Sequence, residues 1–210
     1  TPTPFMTVHR DETHDQFSQE LRLASNTDGP LTYVVGAYYM TQEYDIATGQ
    51  FGTVFGSPTA GSTIYTQQKA DSWAVFGQAD YEVLPGLTVT AGGRYSKEEK
   101  TFTTQPLFYP NAETFEASFD DFSPKVGVSY KWSDTLMTYA QYSRGFRAGG
   151  FNGRAGSFLA VGPYDSETVD SYEVGVKSDL FNRRLRLNAA VFTSDYQDMQ
   201  QSVQQLIPGT

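Results

Sequence analysis

Residues 87–102 read LTVTAGGRYSKEEKTF, and what they form decides the fold. Leu87, Val89, Ala91, Gly93 and Tyr95 fall on one face of an extended chain, while Thr88, Thr90, Gly92, Arg94 and Ser96 fall on the other. Side chains alternate in a strand with a period of two, so the segment predicts a strand with one apolar and one polar face. Adjacent glycines and threonines argue against a helix here. About sixteen strand positions, each advancing roughly 2.5 Å along the axis of a strand tilted ~40°, would span about 40 Å. That is long for a compact soluble sheet, and it exceeds the ~25 Å apolar band of a membrane β-barrel.

The same alternation recurs outward from this strand. In PKVGVSYKW (124–132), Val126, Val128, Tyr130 and Trp132 oppose Lys125, Gly127, Ser129 and Lys131. SWAVFGQADYEV (72–83) and SYEVGVKSD (171–179) behave alike, the latter setting Tyr172, Val174 and Val176 against Glu173 and Lys177. Segments 17–25, 30–45, 135–147 and 184–197 read as weaker strands. In 135–147 the apolar face is assigned to Leu136, Thr138, Ala140 and Tyr142, against the competing Met137 and Tyr139. The result is eight strands and no helix.

Composition agrees. The 210 residues include 14 Tyr, 15 Phe and 19 Gly with only 19% charged residues, a balance that favours strands and turns. A net charge of -9 would repel a polyanion, so nucleic acid is excluded as a partner, and RGFRAGG (144–150) is no RNA-binding tract. With no cysteine there are neither disulfides nor thiolate metal sites. No run approaches the ~20 apolar residues of a spanning helix, which leaves strands as the only way across a bilayer.

Between the strands, short turn-forming connections are expected at 26–29 (NTDG), 84–86 (LPG), 133–134 and 179–183, and long loops near 46–62, 103–119 and 148–165. Short and long alternate, so turns gather at one end of the sheet and loops at the other, the pattern of a transmembrane barrel. The polar face carries Glu20, Arg22, Asp80, Arg94, Lys125, Glu173 and Lys177. Such charges are costly in a small dry core and tolerable against a wet or plugged lumen. Within YAQYSRGFRAGGFNG (139–153), YAQYSR then reads as the top of a rising strand and GFRAGGFNG as the start of an outer loop. No GK[ST] follows its glycines, so it is not a phosphate loop.

Five segments in order now carry a resemblance: FSQELRLAS (17–25), GPLTYVVGAYY (29–39), LPGLTVTAGGRYSKEEK (84–100), FSPKVGVSYKWSDTLMTYAQYSRGFRAGGFN (122–152) and YDSETVDSYEVGVKSDLFNRRLRLNAAVFTSDYQDMQ (164–200). Across essentially its whole length the chain resembles the barrel domain of TonB-dependent outer-membrane receptors. The resemblance implies an all-β, antiparallel transmembrane barrel of 22 strands closed by an N-terminal plug. It further implies a Gram-negative outer-membrane location, lipid around the barrel, and no enzymatic activity. The implied activity is uptake of a scarce ligand, most commonly a ferric siderophore, with energy from the TonB complex. The sequence carries no plug and no TonB-contacting box, and it ends QQLIPGT without a terminal aromatic signal. Residues 1–210 are therefore expected to form about eight middle strands of one barrel domain, with TonB reached through the missing N-terminal part. A complete eight-stranded barrel serving as an adhesin or structural protein is the alternative.

Candidate ligand-facing loop residues are Phe108, Tyr109, Arg147, Phe151, Asn152 and Arg154, since aromatics and arginines suit an anionic chelate. For the aromatics the competing reading is packing of loop on loop, or an interfacial girdle. Glu20, Arg22, Asp80, Arg94, Lys125, Glu173 and Lys177 are assigned to the lumen or plug side, while Val89, Ala91, Val126, Val128, Tyr130, Val174 and Val176 are assigned to lipid. HRDETHD (9–15) matches no metal-ligand spacing and is expected to be a solvated loop. Asp120–Asp121 and Glu98–Glu99 are neighbours that point to opposite faces, so neither is an acid–base pair. No cofactor is implied.

Overall fold

A computed structural model describes residues 5–26, 29–53, 57–106 and 109–201, leaving aside the side chains of 57–60. Eight strands follow one another: β1 (Thr7–Ala24), β2 (Leu31–Gly52), β3 (Ser57–Leu84), β4 (Leu87–Gln105), β5 (Glu113–Ser133), β6 (Leu136–Arg147), β7 (Glu167–Leu180) and β8 (Leu185–Gln197). They form one antiparallel meander in the order β1-β2-β3-β4-β5-β6-β7-β8. The only other regular element among the described residues is a 3-10 turn, Phe158–Ala160. No described helix is long and apolar enough to cross a membrane, which says nothing against crossing by strands.

β1 and β8 are not partners, so the sheet does not close on itself. The expected open wall is what forms, and the self-contained eight-stranded barrel is not.

Two loop expectations need correction. Strands β2 and β3 pair as far as Gly52 and Ser57, so most of 46–62 is ladder rather than loop. Likewise β4 runs to Gln105 and β5 begins at Glu113, reducing the loop at 103–119 to 106–112. HRDETHD is also strand, His9 pairing Gly49 and Asp15 pairing Glu43. In these stretches the outer side is polar, and the inner side is apolar only where loop 148–166 folds onto it, as at Phe115 and Ala117, so the alternation seen lower in the wall is weakened or reversed. Length therefore sorts the two ends less cleanly than expected, because connection 53–56 is no longer than 25–30. Only 148–166 is a long loop.

At the opposite end the turns follow local chemistry. Pro85 and Gly86 link β3 to β4, with Gly86 at φ 83. Proline fixes the first turn position and glycine takes the positive φ that the second requires. A Cβ on Gly86 would also lie 2.8 Å from the Lys131 carbonyl.

Register assigns the faces, because directly paired residues share one. Val89 pairs Val128 and Ala91 pairs Val126; Val128 pairs Ala140; Ala140 pairs Val174; Val174 pairs Val191. This apolar face is open: Val126 is 51%, Val174 62% and Val191 79% exposed. A contiguous exposed apolar surface of this extent marks contact with lipid or protein. The opposite face is polar, and its upper part carries the one compact core: Phe102, Phe151 and Val161, flanked by Phe115, Ala117, Ala155 and Phe158.

Candidate functional site

Loop 148–166 leaves the top of β6 and folds over the polar face. Gly150 and Tyr164 close its base through paired backbone bonds of 3.2 and 2.9 Å. Phe151 then turns down onto the wall and stacks on Phe102, centroids 5.3 Å apart and planes 15° from parallel. Phe158 meets Tyr109 edge-on at 4.5 Å. From the wall, the Lys100 ammonium donates to the Gly149 carbonyl at 2.7 Å and pairs with Glu98 at 2.8 Å. Gln200 donates to the Ala148 and Asp165 carbonyls, tying both loop stems to the segment after β8.

A cleft of about 430 Å³ remains between this loop and the wall, lined by Ser72, Arg94, Ser96, Glu98, Lys100, Arg147, Tyr164 and Gln200 among others. Three cations face one carboxylate there, and Lys100 neutralises that one. Arg94 donates to Ser96 at 2.9 Å, and its guanidinium lies 5.6 Å from both the Tyr38 and Phe76 ring centres. Rings hold a cation without neutralising it. Neither Arg94 nor Arg147 has an ion pair among the described residues. Nearby, on the part of β2 that extends past the apolar face, burial pushes the Tyr44 phenol up, with Tyr164 and Glu12 adding to the effect. The lining carries more cations than carboxylates, with Glu167, directly paired with Arg147, and Asp121, directly paired with Ser96, next along the same face.

The other loop residues singled out by sequence divide. Phe108 lies outside the described residues. Phe151 is only 7% exposed and packs on Phe102. Tyr109 is exposed but is held against Phe158. Asn152 accepts from the Arg154 backbone at 3.1 Å and donates to the Ala160 carbonyl at 3.3 Å, which shapes the loop. The Arg154 side chain is in solvent and Arg147 is at the cleft. Sequence reading missed Lys100, Phe102 and Gln200. The signal for the first two was available: both continue the Arg94 face at even spacing, in a strand expected from its length to outrun a membrane band.

Lower on the same face lie the charges assigned to the lumen. Glu20 pairs with Arg22. Asp80 accepts from Thr90 at 2.5 Å and from Gln78 at 3.1 Å, while Lys125 reaches over Gly92 to Gln78 at 3.1 Å. Glu173 accepts from Tyr139 at 2.6 Å, and Lys177 sits 5.5 Å from the Tyr139 ring centre. A Cβ on Gly175 would lie 2.5 Å from that ring, so the glycine is what lets Tyr139 lie flat against β7. Every lower charge is thus partnered laterally along the wall. The adjacent acids separate as expected: Asp120 accepts from Tyr95 on the apolar face and Asp121 from Ser123 on the polar one. Among the described residues no group of acids and histidines is placed to hold a metal.

Comparison with known proteins agrees with this geometry. The ferric yersiniabactin uptake receptor FyuA of Yersinia pestis superposes with a TM-score of 0.83 at 19% identity, over 95% of this chain and 31% of that one. The siderophore receptor PiuA of Acinetobacter baumannii gives 0.64 at 18%, over 90% and 33%. The alcaligin outer-membrane receptor FauA of Bordetella pertussis gives 0.61 at 18%, over 95% and 32%. The chain spans about a third of the length of each. Residues 2–210 match the family described as TonB dependent receptor-like, beta-barrel. The open antiparallel wall with one polar face therefore has a family: the chain belongs to the TonB-dependent receptor β-barrels, which are outer-membrane transport receptors and not enzymes.

Proposed function

We propose that this chain is the ligand-contacting wall of an outer-membrane active-transport receptor of a Gram-negative bacterium, and that its cargo is an anionic ferric siderophore. The observation that carries the reading is the cleft beneath loop 148–166, where Arg94 and Arg147 make no ion pair among the described residues. A ferric complex with carboxylate or catecholate oxygens presents net negative charge on a rigid body, which guanidinium groups bind well, whereas a tris-hydroxamate complex is neutral at the metal. The free edges of β1 and β8 leave backbone donors and acceptors unpaired, which cannot persist in lipid, so further barrel strands cover them. Glu20, Arg22, Asp80, Lys125, Glu173 and Lys177 then face the lumen and whatever fills it. Energy for release into the cell comes from the TonB complex acting on the receptor's plug.

Binding of radiolabelled ferric complexes from the three siderophore classes to the full-length receptor in outer membranes tests this. Replacing Arg94 and Arg147 together by Gln is expected to weaken the preferred complex about tenfold to a hundredfold for each charge-assisted hydrogen bond removed. Arg186→Gln, at the turn end beside Asp179, should leave binding unchanged. Equal affinity in the double variant and the parent would sink the proposal.

A further inference from the structure

One motif recurs along the apolar face and is absorbed by neither the fold nor the cleft. Descending strands carry Asp-x-aromatic: Asp15/Phe17, Asp71/Trp73, Asp120/Phe122 and Asp170/Tyr172. Rising strands carry Tyr followed two residues later by Thr, Lys or Arg: Tyr39/Thr41, Tyr95/Lys97 and Tyr142/Arg144. In each of the three hairpins closed at the loop end the two halves meet in the same register. Tyr39 pairs Trp73 and Thr41 pairs Asp71; Tyr95 pairs Phe122 and Lys97 pairs Asp120; Tyr142 pairs Tyr172 and Arg144 pairs Asp170. In each, the tyrosine hydroxyl donates diagonally to the aspartate of the next strand, at 3.2, 3.1 and 2.6 Å. Arg144 adds a two-pronged contact to Asp170, at 2.9 and 2.7 Å.

The row of aromatics does not follow the hydrogen-bond register between hairpins. Tyr39 is level with Gln19, two residues below Phe17; Tyr95 with Val75, two below Trp73; Tyr142 with Val126, four below Phe122. Eight residues of drop across the six strand intervals from β1 to β7, at about 3.3 Å per residue and 4.8 Å per strand, correspond to a strand tilt of about 42° if the row is level. Membrane barrels tilt their strands by roughly 35–45°. A level row of the motif thus gives this wall the strand tilt of a membrane barrel. Below the row lies the apolar band, from Phe122 to Tyr130 and Trp132 on β5.

We infer that the three Tyr–Asp clamps are the contact of this wall with the polar boundary of the outer-leaflet lipids, and that they fix the height at which the wall sits. The aromatic bodies enter the acyl region, while each hydroxyl, tied to a carboxylate above it, cannot follow them in. The inference rests on the membrane placement in the proposed function and not on its cargo.

The two tryptophans allow a direct test, Trp73 lying between the first two clamps and Trp132 at the far border. The full-length receptor carrying Trp132→Phe, with any tryptophan outside this chain also replaced by Phe, is reconstituted in phosphatidylcholine brominated either near the glycerol or near the chain end. Shallow bromines should quench Trp73 about twofold more than deep ones, and Tyr→Phe at 39, 95 and 142 together should bring the ratio towards one. Stronger quenching by deep bromines would overturn the placement. An unchanged ratio in the triple variant would overturn the clamps' role. Ferric-complex binding by the same vesicles separates the two proposals: abolished binding with shallow quenching refutes the cargo reading alone.

Discussion

Phe102→Ala should free loop 148–166 from the wall. Phe102 is fully buried and is the one wall residue on which Phe151 stacks, with Phe115 and Val161 closing around it. Truncating a buried Phe typically costs about 3–5 kcal/mol, because apolar burial is removed and a cavity is left behind. Here the cost falls on a docked loop rather than on the barrel, whose ladders do not pass through the cluster. Amide hydrogen exchange should therefore rise about a hundredfold or more between residues 150 and 162, with β6 and β7 unaffected. Since the loop roofs the cleft, ligand affinity should fall as well. Uniform exchange across the whole wall would mean that the cluster supports the barrel, and exchange like the parent's would mean that the loop is held by Lys100 and Gln200 alone.

The second large effect belongs to the opposite face. Val126 lies on β5 between Phe122 and Tyr130, near the middle of the apolar band, and is half exposed among the described residues. Val126→Arg should destabilise the folded barrel in lipid by about 2–4 kcal/mol, the cost of arginine near a bilayer midplane. Lys125→Arg, one residue away, should change stability by less than about 0.5 kcal/mol, because its side chain is on the polar face and already bonds Gln78. Unfolding of both variants from vesicles by urea gives the comparison. A near-neutral Val126→Arg would place that face in water or against protein.

How much of this was legible in the sequence depended on what each strand segment touches. Wherever one side is apolar and exposed and the other polar, alternation is strong, and Leu87–Tyr95 or Val126–Trp132 can be read directly, including which residues share a face. Above the aromatic row the outer side turns polar and the inner side is apolar only beneath loop 148–166, so the same strands lose the pattern seen lower down. HRDETHD, the second half of β2 and the first part of β5 therefore read as loop. Their strand character comes from backbone pairing to neighbours that are themselves well placed, a tertiary effect that no local window contains. The cleft was half legible. Arg94 and Arg147 stood out as charges at sensible positions, but their convergence depends on a loop folding back by way of Phe151, which sequence offered both as a ligand platform and as packing. Lys100 looked like one charge among several in SKEEK, and only the folded loop shows it meeting the Gly149 carbonyl.

Fold, cleft and clamps all depend on one assignment, that Val128 and its row face lipid while Lys125 and its row face the lumen. The chain has no cysteine, so Val128→Cys and Lys125→Cys can each carry a nitroxide label in the full-length receptor in lipid vesicles, once any cysteine outside this chain is replaced by Ser. Collision with oxygen, which concentrates in acyl chains, and with a water-soluble nickel chelate is then read from power saturation. The expected result is high oxygen and low nickel accessibility at 128 with the reverse at 125; nickel reaching 128 as readily as 125 would contradict the assignment.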